Sequence, residues 1–298
     1  MRYLLINADD FGIGPATSAG ILRLAQAGVV TSSVLLANSI HAETSIQTWR
    51  KAGATLELGW HPALTLDGPL TEPGRIPTLV DKDGKFFHLG EFLRRIVTRR
   101  IAPEEIELEL TAQHRRCTEL LGTPPAIVNC HHHIHIFSPI GAILRKILSR
   151  QNPKPYLRLV REPWPIVFRI RGVRVKRFVL NRFGRKAARG QREAGFHAND
   201  WLIGVSNATG VLAPDFFTRW IKMAPGNVVE LAVHPGLEDH TLIGRDCTEH
   251  DGMIRRRVQE LALLLDPSLP EAIKKAGFTL VSPSQLYAIR NGATSHAA

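Results

Sequence analysis

The sequence predicts an α/β fold in which parallel strands form a barrel, and three observations lead to this fold class. Short apolar runs alternate with longer segments of helical character along the whole chain. About seven or eight such strand–helix units follow one another, which favours a closed barrel over an open sheet. The chain has 298 residues, 44% of them hydrophobic and 22% charged, and is long enough to bury one large core.

Eight short segments have the composition and length of strands. They are rich in β-branched and other apolar residues and are bounded by polar or turn-forming residues. Because the segments that join them are long enough for a helix, we expect right-handed crossovers between parallel strands. The predicted strands are Tyr3–Asn7, Ser32–Ala37, Leu56–Trp60, Ile127–Cys130, Tyr156–Val160, Trp201–Val205, Val228–Val233 and Phe278–Ser282.

Eight longer segments have helical character. The clearest is Pro103–Leu121, which opens on a proline followed by two glutamates and is ended by Gly122. The other predicted helices are Gly14–Ala27, Ile40–Ala52, Leu89–Arg99, Ile140–Ser149, Pro214–Met223, His250–Leu265 and Pro270–Ala276.

The domain organisation is predicted to be simple. No repeat or linker divides the chain, so we expect one domain over residues 1–290 and a flexible tail at 291–298. Stretches at about 68–90 and 165–195 interrupt the alternation and are interpreted as insertions that shape the mouth of a barrel site. The three widely spaced cysteines predict no disulfide framework, and we find no signal or membrane-spanning segment. We therefore expect a cytoplasmic protein.

The net charge of +11 is concentrated in one stretch. Ten Lys and Arg residues and no Asp or Glu lie between Arg169 and Arg192. The favoured interpretation is a solvated, charged loop or helix, and the alternative is a patch for anionic membrane headgroups or nucleic acid. Only Phe178 and Phe183 are aromatic there, which argues against a surface that stacks single-stranded bases.

A series of histidines follows the fourth predicted strand. If the strand continues, His131, His133 and His135 project from one face and His132 from the other, because side chains alternate along a strand. Three imidazoles on one face predict a metal site or a polar pocket. A single histidine in a strand is more often a structural residue, so this segment alone leaves both interpretations open.

Other strand ends carry similar side chains. The first strand ends in Asp9 and Asp10, although Asp at this position also commonly caps the next helix. His61 follows the third strand and His234 the seventh, each directly before a proline. Because parallel strands of a barrel end at one rim, we expect these residues to converge where barrel enzymes hold catalytic groups.

The chemistry of this set favours metal-dependent hydrolysis. One Asp and two neutral histidines with open positions form a site for zinc or another divalent ion. Such an ion polarises a carbonyl group and lowers the pKa of a bound water towards about 7. A second carboxylate can accept the proton, and a histidine on the opposite side can donate one to a leaving amine.

Four sequence blocks together resemble the YdjC-like family of carbohydrate deacetylases. They are Ala-Asp-Asp-Phe-Gly at 8–12, His-Pro at 61–62, Val-Asn-Cys-His-His-His-Ile-His at 128–135 and His-Pro-Gly at 234–236. The similarity runs in the family's order to about residue 286 and includes residues 158–163, 198–202 and 256–261. The YdjC-like family, which the sequence resembles, contains the ChbG chitooligosaccharide deacetylases and the HpnK proteins of hopanoid biosynthesis. The HpnK branch is favoured because Arg-Glu-Pro followed by a basic stretch is typical of it.

The resemblance implies a deformed (β/α) TIM-like barrel of the glycoside hydrolase/deacetylase type. It implies one divalent ion, zinc or magnesium, and removal of an acetyl group from an N-acetylated sugar, either an oligosaccharide or a lipid-linked glycan. Matched by position, the metal ligands are Asp10, His61 and His131. Asp9 matches the base that activates water, and His234 matches the acid that protonates the leaving amine.

Further residues are assigned around this centre. His133 and His135 are predicted to line the pocket and to contact sugar hydroxyls, and His132 is assigned a structural role. Arg161 and Trp201 are predicted substrate contacts, with a salt-bridge or packing role as the alternative. Asn129-Cys130 replaces the Asp-Ser that the family often has before the first histidine, a change expected to alter hydrogen bonding around the metal.

Three alternatives remain open at the level of sequence. The scaffold could serve a non-catalytic metal- or sugar-binding protein, since a fold does not fix a function. It could also serve another metal-dependent amidohydrolase or a phosphoesterase, although the latter more often uses two metals. The segment from Arg169 to Arg192 could hold the protein against an anionic membrane, with nucleic acid less favoured and a homodimer left open.

Overall fold

The central element of the computed structural model, which describes residues 1–170, 173–205 and 210–292, is a sheet of eight parallel strands. All eight predicted strands are present, and the shortest have only two residues. The predicted flexible tail falls mostly on residues 293–298, outside the described part. The strands are β1 Arg2–Phe11, β2 Ser32–Leu35, β3 Glu57–Trp60, β4 Ile127–Val128, β5 Tyr156–Leu157, β6 Trp201–Ile203, β7 Val228–Val233 and β8 Phe278–Leu280.

The strand order shows how the sheet curls. It runs β5-β4-β3-β2-β1-β7-β6, and β8 pairs with the beginning of β1. β1 is therefore central, with β7 along one edge and β8 and β2 sharing the other. No ladder joins β5 to β6 within the described ranges, so the sheet is a half-barrel that is open between them. The α/β class and the deformed barrel are confirmed, with a less complete closure than the alternation suggested.

The helices connect successive strands and pack against the sheet. The eight predicted helices are present with ends shifted by a few residues, and Pro103–Leu121 is confirmed at both ends. The helices are α1 Pro15–Gln26, α2 Ala42–Ala52, α3 Leu89–Val97, α4 Pro103–Leu121, α5 Ile140–Leu148, α6 Trp164–Arg169, α7 Arg174–Glu193, α8 Phe216–Met223, α9 Met253–Leu264, α10 Ser268–Lys275 and α11 Pro283–Arg290.

Three of these helices, α6, α7 and α11, were not predicted. The basic stretch forms α7, the longest of the described helices, and its buried face carries Arg177, Asn181 and Gln191. Because polar residues occupy that face, apolar residues do not recur at the spacing that indicates an amphipathic helix. Of the two interpretations of the basic stretch, loop or helix, the described residues 174–193 show a helix.

The two faces of β1 differ in what they contact. Leu4, Ile6 and Ala8 belong to the main hydrophobic core, whereas Leu5 belongs to a separate, smaller cluster. Asn7 and Asp9 lie on the same face as Leu5, because side chains alternate along a strand. This alternation places Asp9 on the inner face of the curled sheet, and a regular strand would turn Asp10 to the other face.

The stretch at 68–90 packs against the rest of the domain. Ile76 and Leu79 are buried in the main core. The carboxylate of Glu109 accepts hydrogen bonds from the backbone N–H groups of Leu70 and Thr71, at 3.1 and 2.9 Å. Among the described helices, none is long and apolar enough to cross a membrane.

Candidate metal and catalytic site

A cavity of about 110 Å³ lies at the carboxyl ends of the strands. Residues at the carboxyl ends of β1 and β7, and residues that follow β3, β4, β6 and β7, line it, as the sequence predicted for a barrel rim. Residues of α7 and α9 complete the wall. The lining residues are Asp9, Asp10, His61, His131, His132, His133, Lys176, Gly204, Val205, Ala232, His234, Asp246, Met253, Arg256 and Arg257.

Asp10 reaches this cavity because the backbone of β1 is irregular there. Its φ is 68°, in the left-handed region that residues other than glycine seldom adopt. The pairing of β1 with β2 shifts register between Ala8 and Phe11, as at a β-bulge. Such an irregularity re-aims a side chain, so both Asp9 and Asp10 line the same cavity.

Two histidines share one oxygen of Asp10. The Nε2 atom of His61 lies 3.2 Å from Oδ1 of Asp10, and the Nδ1 atom of His131 lies 3.1 Å from the same oxygen. Arg257 donates to the other oxygen, Oδ2, at 2.7 Å. Burial raises the pKa of Asp10, but Arg257 and the two histidines outweigh burial and hold the pKa well below its usual range. The carboxylate is ionised and available as a ligand.

The donor set of Asp10, His61 and His131 fits a divalent ion. One ligand atom from each of the three buried residues lies within 4.8 Å of the others. The Nδ1 atom of His61 donates to the backbone oxygen of Asn129 at 2.7 Å. In the neutral ring the free electron pair is then on Nε2, which faces Asp10. The Nε2 atom of His131 is buried without a hydrogen-bond partner. Oriented imidazoles with unused electron pairs are typical of metal ligands.

The histidine run does not continue β4. It forms a 3₁₀ helix over His131–Ile136, with left-handed φ values of 54° at His132 and 56° at His133. The prediction of three histidines on one strand face was therefore wrong, because the chain turns after Val128. His132 also faces the cavity instead of pointing away, and its Nδ1 lies 2.9 Å from Oγ1 of Thr65.

His133 and His135 lie on different sides of this turn. His133 lines the cavity as expected, and burial lowers its pKa well below the usual value. His135 does not line the cavity, because its Nε2 lies 3.2 Å from the backbone oxygen of Arg158. Burial lowers the pKa of His135 to about 3. The prediction that His135 lines the pocket was therefore wrong, because the left-handed backbone at His132 and His133 directs the side chain of His135 away from the cavity.

Asp9 is held by a network of charges. Arg158 donates to both of its oxygens, at 2.6 and 2.8 Å, and also donates through Nε to Glu230 at 2.7 Å. Asn7 and Asn129 donate further hydrogen bonds to Oδ1 of Asp9. Burial raises the pKa of Asp9, but Arg158 outweighs burial and lowers it below the usual range. The carboxylate is thus ionised and fixed in orientation.

His234 stands at the edge of the cavity beside Asp9. Its Nε2 lies 3.7 Å from Oδ2 of Asp9, and Arg256 lies 3.3 Å from its Nδ1. Because an arginine can only donate, Nδ1 is the acceptor and Nε2 carries the proton of the neutral ring. Burial, with Arg256, lowers the pKa of His234 to about 4, so the ring is neutral at pH 7.

The model of the YdjC-like protein family matches residues 3–275 of this chain. The chain belongs to the YdjC-like family. It is 29% identical over 286 residues to a carbohydrate deacetylase of Geobacillus stearothermophilus, which covers 96% of this chain and 98% of that protein. It is 36% identical over 153 residues to a chitooligosaccharide deacetylase of Escherichia fergusonii, which covers 51% of this chain and 57% of that protein.

A solved structure shows the same fold. The protein is from Enterococcus faecalis V583 and is named for cellobiose-phosphate cleavage. It aligns with a TM-score of 0.77 and 23% identity, covering 96% of this chain and 98% of that one. The curled, parallel architecture of this YdjC-like chain is therefore shared with a known structure.

Two predicted substrate contacts of this YdjC-like chain lie away from the cavity. Trp201 is the first residue of β6, at the strand end opposite the rim. The guanidinium carbon of Arg161 lies 4.5 Å from the centre of the Trp201 ring, and its Nε donates to the backbone oxygen of Asp200 at 2.8 Å. The packing alternative describes both side chains better than substrate binding.

Several residues of the site were not assigned from the sequence. Arg158, which pairs with Asp9, lies three positions before Arg161 in a block that resembles the family, so the block was recognised but Arg158 was given no role. Asp246 lies 3.7 Å from Nε2 of His131 and shares Arg257 with Asp10. No periodicity or strand end marks Asp246, because it lies in a loop far along the chain.

Lys176 is a further lining residue that was not assigned. It belongs to α7, and it lines the cavity although the residue is exposed to solvent. Enclosure by the cavity walls, with the nearby Arg256, lowers its pKa. The charge of the basic stretch thus reaches the site through one residue.

Proposed function

We propose that this protein is a metal-dependent carbohydrate N-deacetylase, which hydrolyses the acetamide of an N-acetylated sugar to acetate and a free amine. One observation carries the proposal. The three buried ligands Asp10, His61 and His131 converge in a cavity that also contains an ionised carboxylate, Asp9, and a histidine, His234. The names of the two curated relatives, a carbohydrate and a chitooligosaccharide deacetylase, support the substrate class.

Asp10, His61 and His131 would hold one divalent ion, zinc or magnesium. Two imidazole nitrogens and one carboxylate form a donor set that suits zinc and leaves positions open. When bound, the ion supplies a Lewis acid that polarises the acetyl carbonyl and lowers the pKa of water. Arg257 stays on the second oxygen of Asp10 and fixes the orientation of that carboxylate.

Asp9 is proposed as the group that accepts a proton from the attacking water. It is ionised, and Arg158 fixes both of its oxygens. The low pKa makes Asp9 a weak base, so proton transfer depends on a water whose own pKa is lowered. Arg158 acts through Asp9 and is a positioning residue in this scheme.

His234 is proposed as the group that protonates the leaving amine. Its Nε2–H would pass to the nitrogen as the C–N bond breaks, and the proton held by Asp9 would return to Nε2. The new C–O bond uses the oxygen of water, so the oxygen of water ends in acetate and one of its protons ends on the amine. Asp9 and His234 then have the protonation states with which they began. The 3.7 Å between Nε2 and Oδ2 of Asp9 is short enough for this return after a small movement.

A combined measurement tests the proposed function. Metal content of the purified protein is determined, and acetate release is followed on N-acetylglucosamine oligosaccharides and glycolipids before and after chelation. We expect about one ion per chain and release that stops on chelation and returns with metal. Metal without release on any substrate would favour a non-catalytic binding protein. Release that survives removal of the ion would overturn the metal dependence.

A further inference from the structure

Helix α7 has an anchored inner face. Leu180 and Ala188 are buried, and Gly184 lies so close to the backbone oxygen of Val160 that a Cβ atom would approach it to 1.6 Å. Arg177 is also buried and donates to Glu162 at 2.7 Å. The opposite face of α7 is therefore an outer surface of the domain. Its exposed apolar side chains are not explained by an inner face that failed to pack.

The outer surface near the beginning of α7 is apolar. Val175 is 79% exposed, Phe178 53% and Val179 38%, and Phe168 of α6 is 66% exposed. The ring centre of Trp164 lies 5.9 Å from those of both Phe168 and Phe178, so the aromatic side chains form one group. We call Phe168, Val175, Phe178 and Val179 the apolar patch. Contiguous exposed apolar groups of this kind mark interaction surfaces on soluble domains.

Cations surround the apolar patch. Arg169 and Arg174 are exposed near it, and Arg182 and Lys186 are exposed on the next turns of α7. In the described part of the chain, Arg182 and Lys186 have no hydrogen-bond or ion-pair partner. An apolar face flanked by unpaired cations is typical of helices that lie in the interface of an anionic membrane.

The apolar patch adjoins the proposed active site. Lys176 follows Val175 in sequence and lines the catalytic cavity together with His133. In a crossover between parallel strands, the helix begins near the carboxyl ends of the strands, so the first turns of α7 lie at the rim. A surface that rests on these turns therefore lies beside the cavity mouth.

We propose that α6 and the first turns of α7 dock on an anionic lipid bilayer, so that a lipid-linked sugar reaches the cavity beside Lys176. The apolar patch enters the boundary between headgroups and acyl chains, and Arg182 and Lys186 contact lipid phosphates. The proposal that the protein docks on a membrane depends only on the residues of this surface. The delivery of a lipid-linked substrate rests on the proposed deacetylase function.

Vesicle sedimentation with the full chain tests the docking. Vesicles of phosphatidylcholine alone are compared with vesicles that also contain phosphatidylglycerol, at low and high salt. We expect binding only with the anionic lipid and weakening with salt, because each cation near such a surface contributes about fivefold in affinity. Binding that is independent of anionic lipid and of salt, or no binding, would overturn the proposal.

Two pairs of variants separate the apolar and charge contributions. Val179→Ser with Val175→Ser should lower vesicle binding at least about tenfold, whereas Ile289→Ser, at a residue of the same 38% exposure as Val179, should not. Arg182→Glu with Lys186→Glu should lower binding more than about thirtyfold. Arg150→Glu with Lys275→Glu changes the net charge equally at other exposed positions and should have a much smaller effect.

The outcomes also separate docking from catalysis and from other partners. All these variants should release acetate from a soluble oligosaccharide at the wild-type rate, so loss of vesicle binding with intact activity supports docking. Equal losses in the test and control variants would contradict it. Binding of duplex DNA that is stronger than vesicle binding and insensitive to the two valine substitutions would assign the surface to nucleic acid instead.

Discussion

Asp9 and Asp10 are neighbours in sequence, yet the protein satisfies them in different ways. Both oxygens of Asp9 are held by Arg158, whose remaining donors are directed at Glu230. Oδ1 of Asp10 instead faces two imidazole nitrogens, from His61 and His131. The first arrangement is complete without a ligand, whereas the second leaves electron pairs that an ion would use.

This difference divides the site, meaning the cavity and the buried residues that hold its lining, into two halves. We call Asp10, His61 and His131 the metal half, and Asp9, Arg158, Glu230 and His234 the proton half. The proton half is preorganised by fixed charges, which is how enzymes orient groups that act on a developing charge. In the proposed mechanism, the metal half would depend on a bound ion for its chemistry. Substitutions in the two halves should therefore separate metal content from turnover.

The largest effect is expected in the metal half. His61→Ala removes one of the three proposed ligands, so we expect loss of the bound ion and acetate release reduced to background. Metal analysis and an acetate assay measure both quantities. His114→Ala is the matched control. The ring centre of His114 lies 5.3 Å from that of Trp60, the residue before His61, but His114 does not line the cavity. Retention of the ion in His61→Ala would remove His61 from the ligand set.

The next largest effect is expected in the proton half. Asp9→Asn removes the proton acceptor, and we expect kcat to fall about 10²- to 10⁴-fold while the metal stays bound. The control is Asp239→Asn, at another buried carboxylate, which accepts a hydrogen bond from the backbone N–H of Thr17. Loss of metal in Asp9→Asn would show that the two halves are not separate and that Asp9 is itself a ligand.

A smaller effect is expected from Arg158→Lys. Lysine keeps the charge but lacks the planar fork with which Arg158 donates in parallel to both oxygens of Asp9 while its Nε reaches Glu230, so kcat should fall and the free energy of unfolding should drop by about 1–3 kcal/mol. Arg177→Lys is the control, since Arg177 is equally buried and pairs with Glu162 outside the cavity. Urea denaturation should show comparable destabilisation of both variants. A loss of turnover that is equal in both would mean that Arg158 is only structural.

The strands and the convergence of residues at the rim could be predicted from the sequence, because each depends on local patterns. Strand ends followed by His61, His131 and His234 are visible in a single sequence, and a barrel brings them together. The turn at His132 and the left-handed backbone of Asp10 could not be predicted, since most Asp and His residues still have a negative φ and neither position carries the glycine that would mark such a turn. Alternation along a regular strand failed at both places.

The proton half was less predictable for a different reason. Its main members are paired across long distances in sequence, Arg158 with Asp9 and with Glu230, and no spacing rule indicates such pairs. The resemblance located the block that contains Arg158 but could not show which of its two arginines pairs with Asp9. Helix α7 was absent from the predicted helices because buried polar residues obscured its periodicity, although its basic charge was recognised.

The smallest effect is expected at Asn129, which contacts both halves with different atoms. Its backbone oxygen accepts from Nδ1 of His61 at 2.7 Å, whereas its side-chain Nδ2 lies 3.3 Å from Oδ1 of Asp9. Asn129→Ala removes only the second contact, so kcat should fall about two- to tenfold, as for one lost hydrogen bond. Metal affinity, measured by competition with a chelator, should change much less because the backbone contact remains. A tenfold loss of metal affinity with unchanged kcat would reverse the assignment of this side chain, and would place Asn129 with the metal half.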